Sequence, residues 1–154
     1  MEINNCKIKN CEVDYGYFIN SGNLNINYKA DNTSFIIDEN ISSIFNGSIY
    51  NNDVVRNLNL VFENCKFNMN SDSITKIIDL TPTTFIGGII FENCIFTNNT
   101  SNSINLISFD DKSNEQLIIN LINCKTNGDF AIADSNAGGT FIKDGEEING
   151  TLKL

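Results

Sequence analysis

The chain has 154 residues and a net charge of −9, from ten basic and nineteen acidic side chains. The length fits a single domain, and the negative charge makes a phosphate backbone an unfavourable partner, so nucleic acid binding is not expected. The chain contains no His and no Trp, which excludes His-based acid/base catalysis and zinc sites that need His. We expect no cofactor and no metal.

No segment predicts a membrane span or a leader. No apolar run approaches the roughly 18 to 20 residues that cross a bilayer. Residues 1–20 lack a basic stretch followed by an apolar one. We therefore expect no membrane insertion and no secretion through a signal peptide.

A short motif built on cysteine recurs along the chain. It reads apolar residue, any residue, Asn, Cys, any residue and usually a second apolar residue, with copies at Cys6, Cys65, Cys94 and Cys124. The last two steps between these cysteines are nearly equal, and the first is close to twice as long. Regular recurrence of this kind indicates a repeat protein.

Each copy of the motif predicts a strand, a one-residue bend and a second strand. Asn tolerates the left-handed backbone conformation that a sharp bend requires, and the following Cys then points inward. The cysteines are expected to be small buried hydrophobic residues, kept reduced in a cytosol, and reactive thiols are the alternative. We expect structural ladders of Asn5, Asn64, Asn93 and Asn123, and of Cys6, Cys65, Cys94 and Cys124.

Residues 1–57 are expected to form irregular N-terminal coils. A degenerate copy of the motif can be recognised at 45–50, with Gly47 in the place of Asn and Ser48 in the place of Cys. It lies much closer to Cys65 than one full step of the repeat, so either that coil is short or the alignment is wrong. Tyr15 and Tyr17 in this region are candidates to stack on sugars, although tyrosines of β proteins more often line a core.

Residues 58–139 carry the regular repeats. The apolar segments 77–80 and 104–107 follow their cysteines by about a dozen residues, and the segments 85–86 and 117–119 lead into the next copy. A strand-built repeat of this kind, with no amphipathic helix, predicts an all-β parallel solenoid of about five coils. An antiparallel sandwich is the alternative, but its turn signals would recur roughly every 8 to 12 residues.

Residues 140–154 predict a C-terminal β-hairpin cap. Asp144–Gly145 and Asn149–Gly150 are both strong hairpin turn signals, and they separate three short strands. An antiparallel meander at this point would end the solenoid and cover its open edge.

The runs at 64–70 and 93–99 read Asn-Cys-x-Phe-x-x-Asn and resemble those of right-handed parallel β-helix proteins of the pectate-lyase-like type. Gly87-Gly88-Ile89-Ile90 resembles the Gly-Gly-apolar element of β-helical surface adhesins. The resemblance covers about residues 58–130 and implies a right-handed parallel β-helix. It implies no single activity, because this fold carries polysaccharide lyases, hydrolases, phage tailspikes and adhesins.

Glu63 and Glu92 occupy the same outward position on neighbouring coils. Strands stack about 4.8 Å apart, so the two carboxylates are expected at a separation that suits a retaining glycosidase pair or a cation site. The alternative is a solvated outer face, since no neighbour in sequence would separate their pKa values. We expect no catalytic residue and treat Glu63, Glu92, Tyr15 and Tyr17 as ligand-binding candidates.

Three functions fit this sequence. The first is a non-enzymatic structural and host-recognition module of a phage or virion fibre or tailspike, a homotrimer or part of a larger virion assembly. Such a protein would be assembled in the host cytoplasm, and it would bind a surface glycan or a partner virion protein. The second is a fragment of a cell-surface adhesin. The third is a polysaccharide lyase or hydrolase, which the small size and the lack of His and Trp disfavour.

Overall fold

The chain is described from a computed structural model over residues 2–9, 13–14, 25–46, 56–80, 85–108, 116–133 and 139–148. Within these ranges all regular elements are β-strands and no helix occurs. The strands are β1 (Glu2–Asn4), β2 (Lys7–Lys9), β3 (Val13–Asp14), β4 (Asn25–Asp31), β5 (Ser34–Ile37), β6 (Phe45–Asn46), β7 (Arg56–Glu63), β8 (Lys66–Met69), β9 (Lys76–Asp79), β10 (Phe85–Glu92), β11 (Ile95–Asn98), β12 (Ile104–Ser108), β13 (Leu117–Ile122), β14 (Lys125–Asn127), β15 (Phe130–Ala133), β16 (Thr140–Lys143) and β17 (Glu146–Ile148).

The strands form three sheets, and the chain contributes one strand to each sheet in turn. Sheet A has the order β1-β4-β7-β10-β13-β16-β17, sheet B the order β2-β5-β8-β11-β14, and sheet C the order β3-β6-β9-β12-β15. Three consecutive strands make one coil, so β1 to β15 form coils 1 to 5. Neighbouring strands are parallel except β16 and β17. The predicted parallel β-solenoid is confirmed, and the antiparallel sandwich is excluded.

Rows of phenylalanine fill the interior of the solenoid. In sheet A, Phe62 pairs with Phe91 of the next coil, and their rings stack with centroids 5.0 Å apart. In sheet B, Phe35, Phe67 and Phe96 stack at the same 5.0 Å spacing. All five rings are fully buried. Because stacked rings prefer nearly the distance that separates hydrogen-bonded strands, one register satisfies both the backbone and the core.

Coil 2 carries the bend motif in a form that the cysteine spacing does not reveal. Thr33 lies between Cys6 and Cys65, since the Ser34 N–H donates to the carbonyl of Cys6 (2.9 Å) and the Lys66 N–H donates to the carbonyl of Thr33 (3.0 Å). The step from Cys6 to Thr33 is shorter than the step from Thr33 to Cys65. The cysteine spacing does not reveal this copy, because the two steps on either side of it are unequal in length and threonine occupies the cysteine position.

The copy of the motif predicted at 45–50 is wrong. Phe45 belongs to β6 in sheet C, where it pairs with Ile78 of β9 and is fully buried. Gly47 and Ser48 lie outside the described residues. A buried aromatic residue followed by Asn is a pattern that many core-facing strands satisfy, so this pattern alone does not identify the bend. The described parts of residues 1–57 contribute to the same three sheets as residues 58–139.

The C-terminal hairpin continues sheet A beyond coil 5. β16 pairs in parallel with β13, and β17 turns back antiparallel to β16. The turn between them has φ of 50° at Asp144 and 89° at Gly145, the positive values that a tight hairpin turn requires. This is the first of the two predicted turns. The second, Asn149–Gly150 with residues 151–154, lies outside the described residues.

Candidate functional site

A column of asparagines forms the bend between sheets A and B. All of its members have φ between 46° and 56°, the left-handed region that Asn tolerates. Each of the first four donates its N–H to a carbonyl of the next coil, as Asn64 does to Glu92 at 2.9 Å. The sequence pattern missed the member in coil 2, whose signal is Asn followed by Thr. The column consists of Asn5, Asn32, Asn64, Asn93 and Asn123.

The side chains of this column are hydrogen-bonded in two pairs rather than in one continuous ladder. The amide of Asn64, in the middle coil, donates instead to the carboxylate of Asp31 at 2.9 Å. Asp31 directly precedes the bend of coil 2, so it interrupts the predicted ladder at that coil. The paired bonds run from Asn32 Nδ2 to Asn5 Oδ1 (2.7 Å) and from Asn123 Nδ2 to Asn93 Oδ1 (2.7 Å).

The cysteine column lines the inner side of the bend. Cys65 and Cys94 are fully buried, Cys124 is half-buried and Cys6 is exposed. The thiol of Cys94 donates to the carbonyl of Phe62 at 3.3 Å. Its hydrogen bonds with Cys124 and Cys65, together with burial, raise the pKa of Cys94. A buried thiol held protonated is a packing element rather than a nucleophile.

Glu63 and Glu92 lie beside each other in an outward row of sheet A. Glu92 pairs with Glu63, and Glu63 pairs with Asp31 of the preceding coil. Lys29 Nζ donates to Glu63 Oε1 at 2.9 Å, and this hydrogen bond raises the pKa of Lys29. On its other side Glu92 pairs with Ile122. The two glutamates therefore have different neighbours, a cation on one side and an aliphatic residue on the other.

This acidic row offers limited chemistry. Both glutamates are half-buried on an outer sheet face, and Glu63 Oε1 accepts a hydrogen bond from Lys29 Nζ. A retaining pair instead needs both carboxyls free to reach the glycosidic bond. Within the described ranges, no group of three His, Cys, Asp or Glu side chains is placed to hold a metal ion.

Tyr15 and Tyr17 lie outside the described residues. Tyr28, further along the same third of the chain, is buried, and its ring contacts Phe45 edge-on with centroids 5.2 Å apart. Burial raises the pKa of Tyr28 well above its usual range. This tyrosine lines the core and is not available to a sugar.

The outer side of sheet A changes character along the stack, and the sequence reasoning missed this. In β1 and β4 the outward residues are polar, whereas six outward positions of β7, β10, β13 and β16 are aliphatic. Ile118 and Ile122 are 45% and 41% exposed. A signal was present, because β10 and β13 carry aliphatic residues at both alternating positions. We call these six residues the apolar face: Val61, Ile86, Ile90, Ile118, Ile122 and Ile142.

Comparison of the chain with family models, with curated proteins and with solved structures returned no significant match. The described residues contain no helix that could cross a membrane. What the geometry defines is a class: an all-β solenoid of stacked parallel coils with a short antiparallel pair at its C-terminal end.

Proposed function

We propose that this solenoid is a non-enzymatic structural and recognition module of a phage or virion fibre or tailspike, related to the pectate-lyase-like β-helices that its Asn-Cys-x-Phe runs resemble. It associates with further copies of the same chain, as a homotrimer or within a larger virion assembly, and recognises a surface glycan or a partner virion protein. The observation that carries the proposal is the apolar face of sheet A.

The apolar face has the composition of an association surface. Its six aliphatic side chains lie on four neighbouring strands, interspersed with Asn59, Asn120 and Thr140, and apolar groups on a protein surface commonly mark sites of protein association. Its occupant is a further copy of this chain, because in a symmetric contact each copy covers the same aliphatic side chains of the other. Covering the exposed fractions of these residues removes apolar surface from water, which favours association by about 25 cal/mol for each Å² that is buried.

The charges beside the apolar face restrict how two copies meet. Asp31, Glu63 and Glu92 form an acidic row, and the next residue of this row is Ile122 of the apolar face. A symmetry axis through the apolar face keeps the acidic rows of the copies apart, whereas a copy shifted along the sheet would set carboxylate against carboxylate. Like-charge contact of that kind is strongly unfavourable, so it selects the arrangement centred on the isoleucines.

Sedimentation equilibrium at micromolar concentration tests the association. The native chain should sediment as an oligomer, and Ile118→Asn combined with Ile122→Asn should sediment as a monomer with an unchanged circular dichroism spectrum. Ile95→Asn is the matched control, since Ile95 is 40% exposed but lies on sheet B. A native chain that sediments as a 17.1 kDa monomer would overturn the proposed assembly.

Two alternatives use the same fold. A cell-surface adhesin fragment is distinguished by the neighbouring open reading frames, because tail or capsid genes would decide for the virion. A polysaccharide lyase or hydrolase would rest on the neighbouring Glu63 and Glu92. We expect no release of reducing ends from a panel of bacterial surface polysaccharides. Turnover by the native chain that is lost in Glu63→Gln or Glu92→Gln would establish these residues as an active site.

A further inference from the structure

The outer side of sheet B carries a row in which lysine alternates with uncharged residues. Successive partners in this row are Lys7, Ser34, Lys66, Ile95 and Lys125, one from each coil. The three lysines are exposed, and none of them forms an ion pair within the described residues. Neighbouring lysines stand two strand spacings apart, about 10 Å, and the row spans about 19 Å. We call this the lysine row.

Among the described residues, the strands of sheet B carry no acidic side chain on this outer face. The outward row beside the lysine row contributes amide, hydroxyl and aliphatic groups and one further lysine, Lys9. Lys9 forms an ion pair with Asp38 at 2.8 Å, just past the end of β5, and this is a carboxylate at the border of the face. In a chain of net charge −9, sheet B therefore presents a local cationic surface. The second row consists of Lys9, Ile36, Asn68, Thr97 and Asn127.

We propose that the outer face of sheet B binds a linear anionic glycan with one carboxylate per disaccharide. An extended disaccharide unit is close in length to two strand spacings, so every carboxylate meets a lysine ammonium. Each uncharged sugar then lies over Ser34 or Ile95, where it meets a hydroxyl or an aliphatic surface for its C–H face. Asn68 and Thr97 in the second row supply hydrogen-bond partners for sugar hydroxyls. This proposal names the ligand of the recognition role put forward above and rests on it.

The spacing and the net charge both favour a sparsely charged polymer over nucleic acid. A DNA strand carries a phosphate about every 3.4 Å, roughly three times the density of the lysine row. The net charge of −9 repels a dense polyanion as a whole. A polymer with charges about 10 Å apart, one Debye length in 0.1 M salt, interacts chiefly with the lysine nearest to each charge. The alternation of charged and uncharged residues in the lysine row therefore matches the alternation of charged and uncharged sugars in the ligand.

Calorimetric titration with hyaluronan decasaccharide, which has one carboxylate per disaccharide, tests the proposal. The native chain should bind it, should bind neutral dextran oligosaccharides undetectably, and should bind oligothymidylate more weakly. Lys66→Gln should weaken hyaluronan binding about fivefold, the upper range for one exposed ion pair. The matched control is Lys29→Gln, which removes one charge from sheet A and should change affinity less than about twofold.

A charge-conserving variant separates spacing from total charge. Lys66→Gln with Ile95→Lys keeps three lysines in the row but moves the middle one by a single coil. This double variant should bind hyaluronan as weakly as Lys66→Gln alone. Recovery of the native affinity would overturn the spacing argument. The proposal that the ligand is an anionic glycan would be overturned by tighter binding of oligothymidylate than of hyaluronan, or by no hyaluronan binding at millimolar concentration. Sedimentation of the same samples tests the association through sheet A separately.

Discussion

At single residues, the strongest constraint lies where the backbone of one coil approaches the next. Gly87 has φ of 119°, and a Cβ placed on it would overlap the carbonyl oxygen of Leu58. The adjacent Gly88 has room, since a Cβ there would lie 3.5 Å from the carbonyl oxygen of Ile118. The two glycines of one dipeptide therefore have different roles, and only the first is required by the stacking.

Gly87→Ala should lower the free energy of unfolding by about 2 kcal/mol or more, because it combines positive-φ strain with a backbone clash. Gly88→Ala is the internal control and should change stability by less than about 0.5 kcal/mol. Urea unfolding followed by circular dichroism measures both. Equal losses in the two variants would contradict the assigned close approach at Gly87.

Tyr28 carries a buried hydroxyl that has no hydrogen-bond partner among the described residues. An unsatisfied buried polar group costs stability, while the ring itself packs well against Phe45 and Phe62. Tyr28→Phe should therefore raise the free energy of unfolding by about 1 kcal/mol. Thermal unfolding monitored by circular dichroism is the measurement. A lower melting temperature for this variant would show that the hydroxyl has a partner that stabilises the fold.

At the level of elements, Asp144 ends the bend column. In the first four bends the asparagine N–H donates to a backbone carbonyl of the next coil, but Asn123 donates to the Asp144 carboxylate, Oδ1, at 2.7 Å. The Asp144 N–H still continues the strand pairing by donating to the carbonyl of Leu121 at 2.9 Å. The side chain of the hairpin turn thus replaces the carbonyl that a sixth coil would supply.

Asp144→Ala should destabilise the C-terminal hairpin by about 1 to 2 kcal/mol, because it removes this acceptor and places Ala at positive φ. Asp144→Asn keeps an acceptor oxygen and tolerates the same φ, so it should stay within about 0.5 kcal/mol of the native chain. Hydrogen exchange at the backbone amide of Asn123 measures the protection that its hydrogen bond to Asp144 provides. Unchanged protection of that amide in Asp144→Ala would contradict the cap.

At the level of the whole molecule, stability depends on stacking, because each coil contacts mainly the coils before and after it. Among the described strands, coil 1 pairs on one side only and coil 5 is covered on its far side in sheet A alone, so both open more easily than a central coil. The cysteine column reports on this difference, since Cys124 lies in coil 5 whereas Cys65 and Cys94 lie in coils 3 and 4.

Of the four described cysteines, pulsed alkylation under native conditions should modify the exposed Cys6 first, then Cys124, and finally Cys65 and Cys94. Mass spectrometry of the resulting peptides gives the rate for each thiol, and alkylation in denaturant provides the reference in which all rates converge. Labelling of Cys94 as fast as Cys124 would mean that the solenoid opens as one unit rather than from its ends.

The C-terminal turn and the bends show which local features the sequence determines on its own. Asp144–Gly145 and the Asn-Cys dipeptides act through backbone preferences of the residues themselves, so they are readable without a neighbour in space. The nearly equal steps from Cys65 to Cys94 and from Cys94 to Cys124 then predict parallel stacking, because side chains that recur at a fixed step can only meet if coils lie on one another.

Which residues become neighbours across coils was decided only by the tertiary structure. The unequal steps on either side of Thr33 bring it into the cysteine column, and they set Ser34 opposite Lys66 in the lysine row. Differences in step length are taken up by the loops and do not change the pattern of residues within the strands. The spacing of motifs in the sequence therefore does not give the register of every coil. The apolar face and the lysine row exist only as rows across several coils. The sequence alone therefore determined the bend, the strand alternation and the solenoid, and the stacking register determined what its outer faces present.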